Sequence, residues 1–143
     1  MDNNNNGQNY NNSNNFVNSF TNTSDYTQNF DPDDINRNKV ICAISYVSIL
    51  FFLPLVACPN SRFGKFHANQ SLLLLIFSAA VNLSMWFITL IINLIPFIGI
   101  FLSFPLKILI GLLTFAFMVT GIVNAANGKA KELPWIGHIR LLK

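Results

Sequence analysis

Carboxylates are nearly missing from this chain: six of 143 residues are acidic, and none lies between Asp34 and Glu132. Paired-carboxylate catalysis and ion coupling through an intramembrane acid therefore lack their groups. Charge of either sign is scarce, at 10% of residues against 52% hydrophobic, and a soluble core of this size needs more charge outside. There are two cysteines, Cys42 and Cys58, in one apolar run. Sixteen residues apart on a helix they are separated by about 24 Å, so they read as small buried hydrophobes, not as a disulfide or metal ligands. The two histidines, His67 and His138, have no third ligand beside them. No Ser/His/Asp or Cys/His set and no phosphate-cradling glycine loop occurs, so the expectation is a non-enzyme without cofactor or metal. No basic patch with interleaved aromatics points to nucleic acid. The first 37 residues contain no apolar segment of signal-peptide type, so the first span itself is expected to direct membrane insertion.

What the chain does contain is long apolar runs. Residues 71–94 carry no charge, and about 20 such residues at 1.5 Å rise cover the roughly 30 Å hydrocarbon core of a bilayer. The expected fold is all-α: an integral membrane protein with three transmembrane helices at about 40–58, 70–94 and 106–126. Residues 1–37, rich in Asn with scattered aromatics, cannot bury enough surface to offset their ordering entropy and are expected to be a disordered tail ahead of a helical membrane domain, 38–143. Pro54 is expected to bend or end the first span early. Residues 94–105, with two prolines and a glycine, are too short to span, and read as an interfacial or re-entrant connection.

Ser71, Ser78, Asn82, Thr89 and Asn93 recur at spacings of 7, 4, 7 and 4, which puts them on one helix face. That face should meet protein, as glue between helices or as a polar lining. Gly111, Thr114, Met118, Gly121, Ala125 and Gly128 form a seam of mostly small residues for close helix approach, either within the bundle or in a homodimer. His67, Asn69 and Gln70 open the central helix, and are placed to hydrogen-bond the C-terminal tail across the base of the bundle. In that interfacial tail, 128–143, Trp135 suits a headgroup anchor.

Two strings are too specific for generic membrane composition: Pro59-Asn-Ser-Arg-Phe-Gly-Lys-Phe-His-Ala-Asn-Gln70, and Gly128-Lys-Ala-Lys-Glu-Leu-Pro-Trp-Ile-Gly-His-Ile-Arg140. With them, residues 38–143 resemble the small bacterial membrane proteins grouped with the 20-kDa component of the plastid inner-envelope protein-import machinery. The resemblance implies a small helical membrane protein, with a link to protein translocation carried by the plastid relatives.

With three spans, six basic residues fall beside the first loop and the C-terminus and three on the other side. That bias predicts a multi-pass cell-membrane protein with its N-terminus outside and its C-terminus cytoplasmic. The expected role is an accessory or interaction subunit of a membrane assembly, with the bilayer and other membrane proteins or further copies of itself as partners. The alternatives are an oligomeric pore or conduit and a membrane immunity or stress protein.

Overall fold

A computed structural model describes residues 23–95 and 98–142. The first 22 residues of the expected disordered tail, and Pro96 and Phe97 of the expected connection, lie outside the described residues. The described residues are all-helical, with one isolated antiparallel bridge. Helix α1 is Pro32–Ile44, α2 is the short Leu53–Ala57, α3 is Arg62–Ile92 and α4 is Ile98–Ala126; 3-10 turns lie at Thr27–Asn29 and Leu50–Phe52.

Among the described residues two helices, α3 and α4 from Phe101, are long and apolar enough to cross a membrane, not three. Only 11% of the most apolar stretch of each is buried, so neither resembles the core helix of a soluble domain. The expected first span, 40–58, fails for local reasons. The Ser45 hydroxyl turns back to donate to the Cys42 carbonyl at 2.7 Å, and Ser48 adopts a left-handed φ of 52°. Pro54 does not bend a helix but sits in the first turn of α2, where its missing N–H costs nothing. The chain therefore folds back on itself between α1 and α2.

The third expected span gains residues at its start. Residues 98–105, expected to be part of the connection, are the first turns of α4, which runs through Pro105. Gly99 makes the tight approach possible: a β-carbon there would stand 2.7 Å from the Ile92 carbonyl oxygen and 2.8 Å from Asn93. The result is a close helical hairpin of α3 and α4.

Order begins well before residue 38. Asp31 caps α1 by accepting from the Asp33 amide at 3.0 Å, with Pro32 in the first turn. Tyr26 and Phe30 pack against the core cluster of Cys42, Tyr46, Phe63, Phe66, Phe117 and Leu133. Phe30 meets the rings of Phe63 and Phe66 at 5.9 and 5.7 Å between centroids. Aromatic burial of this kind supplies the ordering energy that an Asn-rich tail by itself lacks.

The segment before α1 also pairs with the tail after α4. The Tyr26 amide donates to the Ala130 carbonyl at 2.9 Å, and the Glu132 amide to the Ser24 carbonyl at 3.1 Å. Residues 24–26 and 130–132 therefore lie at the same end of the hairpin. The expectation of an outer N-terminus and a cytoplasmic C-terminus rested on an odd number of spans, and that premise is gone.

Candidate functional site

Among the described residues, buried polar side chains concentrate at the base, where α3 begins. Two acceptors satisfy its first amides: the Ser61 hydroxyl takes Gly64 N–H at 2.8 Å, and the Asp34 carboxylate, 29 residues away in sequence, takes Phe63 N–H at 3.1 Å. A carboxylate at the positive end of a 31-residue helix is favoured by the helix dipole as well. Burial works against the charged form of Asp34. Hydrogen bonds from Ser61, the Phe63 amide, Asn38 and the Arg62 amide outweigh it and hold the carboxyl below its ordinary pKa of 3.8.

One turn further, His67, Asn69 and Gln70 are all buried. Asn69 and Gln70 bind the C-terminal tail through its backbone. Gln70 donates Nε2–H to the Gly137 carbonyl at 2.7 Å and accepts from the Leu133 amide at 3.1 Å. Asn69 donates to the Ile139 carbonyl at 2.7 Å and accepts from the amides of Leu141 and Leu142 at 2.6 and 2.9 Å. Carboxamides carry one donor and one acceptor face, as a peptide group does, so each serves as a surrogate strand partner for the tail. Gly137 is required at the turn, since a β-carbon there would run into the Leu133 backbone nitrogen and stand 2.7 Å from the Leu133 carbonyl oxygen.

His67 takes Tyr46 as a hydrogen-bond partner and also lies beside the tail, at Lys129. Its Nδ1 lies 3.0 Å from the Tyr46 hydroxyl, inside a ring cage of Phe63, Phe66 and Tyr46. Its Nε2 has no hydrogen-bond partner among the described residues. Arg140 completes the base. It pairs with Glu132 at 3.3 Å, and its guanidinium stands 5.2 Å from the Tyr26 ring and 5.3 Å from the Phe66 ring. Trp135 is exposed, with φ 64° and its ring edge-on to Phe117 at 6.2 Å.

The polar face of α3 bonds mostly to its own helix. Ser71 donates to the His67 and Ala68 carbonyls, Ser78 to Leu75 and Asn82 to Ser78 at 2.7 Å. Thr89 is buried with no hydrogen-bond partner for its hydroxyl among the described residues, and Asn93, exposed, follows the last residue of the helix. Ser71, Ser78 and Asn82 nevertheless share one groove of about 330 Å³ with Tyr46, Ser48, Gly111 and Thr114. The small-residue seam divides into two parts. Its lower end is filled from within the chain: Gly121 receives the Tyr46 ring, and Gly128, at φ 68°, receives Ile35. Gly128 also ends α4, with Gly128 N–H on the Ala125 carbonyl and Lys129 N–H on that of Asn124. Its upper end, Gly111, has nothing within 4 Å of a built β-carbon and opens on the groove.

The sequence reading missed Asp34 and Tyr46 as contributors. Only Asp34 had a usable signal, the Asp-Pro-Asp-Asp turn, and that pointed to α1, not to α3. Among the described residues no group of three His, Cys, Asp or Glu could hold a metal ion, and Cys42 and Cys58 are both free. No family model matches this chain, and no curated protein or solved structure matches it.

Proposed function

We propose that the protein is a multi-pass membrane protein in which α3 and α4 span the bilayer as a hairpin, and that it acts as a non-enzymatic interaction subunit of a membrane assembly. The resemblance to translocation-related proteins suits this role. Eight of the nine basic residues precede Phe66 or follow Gly128, which on the positive-inside rule favours a cytoplasmic base carrying residues 24–26 and 130–132.

The observation that carries the interaction role is Asn82. It stands near the middle of α3, exposed, and holds a hydrogen bond only to a carbonyl of its own helix among the described residues. The rest of the carboxamide has no protein partner among the described residues, and a bond to a neighbouring helix in place of groove water gains about 0.6–2 kcal/mol. A second protein helix is the natural source of that bond.

A homo-oligomeric conduit is the second reading, favoured by the way Ser78, Asn82 and Thr114 line one groove. In vivo photocrosslinking from position 82, with position 83 on the adjacent face as reference, separates the two. Capture of a distinct membrane protein at 82 and of lipid at 83 supports the interaction subunit. Capture of another copy supports the conduit, and capture confined to one chain overturns both.

A further inference from the structure

The segment between Lys39 and Cys58 is too broken to span a membrane, yet its surface is not that of a water-facing loop. From Val40 to Ala57 every exposed residue except Ser48 is apolar: Val40 is 62% exposed, Ile49 63% and Val56 72%, with Ile44, Val47 and Phe52 between them. The polar side chains are turned the other way. Ser45 and Tyr46 are buried, and Ser48 lines the groove beside Ser78 and Asn82.

The path of the segment is fixed at three points. Ile35 sits on Gly128 at the end of α4, and Tyr46 sits on Gly121, seven residues further along the same helix. Seven residues at 1.5 Å each carry the chain about 10 Å along the hairpin. It then turns through Ser45–Ile49 and returns, so that Cys58 Sγ lies 3.1 Å from a β-carbon built on Gly64, again at the base. Charge ends early in the descent, at Lys39, and polar sequence resumes where it finishes, at Asn60.

We propose that residues 40–57 form a re-entrant element that dips about 10 Å into the bilayer from the base side, with lipid on its outer face and a hydrated crevice on its inner face. The inference rests on the membrane reading above and adds to it. Non-helical backbone at membrane depth is stable only against protein or water, and the non-helical tip at 45–49 has both: the Tyr46 ring is sealed onto Gly121, and Ser48 opens on the groove. The element exposes apolar side chains as α3 and α4 do and is packed on both helices at Gly121 and Gly64, so bilayer hydrocarbon is the partner that this face fits.

The test is spin-label accessibility in vesicles of phosphatidylcholine and phosphatidylglycerol at three to one. Single labels go on Ile49→Cys, Ser48→Cys and the span reference Leu83→Cys, in a Cys58→Ser chain that keeps the fully buried Cys42. The expected result is an oxygen-to-nickel-chelate collision ratio at Ile49 as high as at Leu83, and several-fold lower at Ser48. A water-type ratio at Ile49 with a lipid-type ratio at Leu83 overturns the re-entrant element and leaves the membrane reading intact. Water-type ratios at both overturn the membrane reading itself. A lipid-type ratio at Ser48 overturns the hydrated crevice. Should the Ile49 variant lose its helical circular dichroism, Val56→Cys on the returning limb gives the same comparison.

Discussion

The ring of Tyr46 fills the space that a β-carbon on Gly121 would occupy, so the break after α1 is seated directly on α4. The same Tyr46 holds His67 on α3 through its hydroxyl at 3.0 Å. One side chain thereby joins the three longest helices.

Gly121→Ala forces that ring out of place and is expected to cost about 1–3 kcal/mol, the usual range for overpacking. Gly111→Ala, on the same face of α4 but with open space around it, is expected to be neutral or to gain up to about 1 kcal/mol from helix propensity. Thermal unfolding of both variants in detergent checks the contrast. Equal midpoints would refute the packing role of Gly121.

Gln70→Leu strands the Leu133 amide and the Gly137 carbonyl in a buried site, at about 1–3 kcal/mol for each unsatisfied group. The tail should then be cut by trypsin at Lys131 and Arg140 much faster than in the parent chain. His67→Ala removes the Tyr46 partner and leaves both carboxamide clamps in place. It should therefore accelerate tail cleavage less than Gln70→Leu does.

Asp34→Ala takes an acceptor from the start of α3 and is expected to cost about 1 kcal/mol, the typical worth of a helix cap. The pH dependence has a definite sign. Asp34 titrates below 3.8 in the folded chain, so its contribution is fully present above that pH and is lost as the pH falls through the lower folded value. Acid unfolding should show a smaller loss of stability below pH 4 in Asp34→Ala than in the parent. A parallel acid limb in the two proteins would contradict this.

Arg140→Gln removes the Glu132 pair and the stacking on Tyr26 and Phe66 but keeps a polar head. Because Arg140 is half exposed, the expected loss is about 1 kcal/mol. Hydrogen exchange should quicken at residues 24–26 and 130–132 and stay unchanged in the middle of α3. Unchanged exchange at the base would show that the guanidinium carries none of its closure.

Several parts of this arrangement were legible along the chain. The polar string His67 to Gln70 ahead of an apolar run marked where α3 leaves its polar base, and the seam through Gly121 and Gly128 marked a close approach. The partners were not legible. Gln70 meets residues 63 and 67 positions away, and Asp34 reaches Phe63 across a turn whose local helix breakers do not say where the chain returns. Tyr26 and Phe30 looked like isolated aromatics in a polar tail because the rings they pack on, Phe63 and Phe66, lie beyond α1 and α2.

The sequence by itself determined the all-helical character and the two long apolar helices, since hydropathy, length and the lack of charge act within one segment and need no partner. Only the tertiary structure decided the fate of residues 40–58. By mean composition they could span, but Ser45, Ser48 and Pro54 weaken a continuous helix, and the contacts with Gly121 and the base of α3 favour turning back. Where local apolarity and local helix breakers oppose each other, the neighbouring helices decide which prevails.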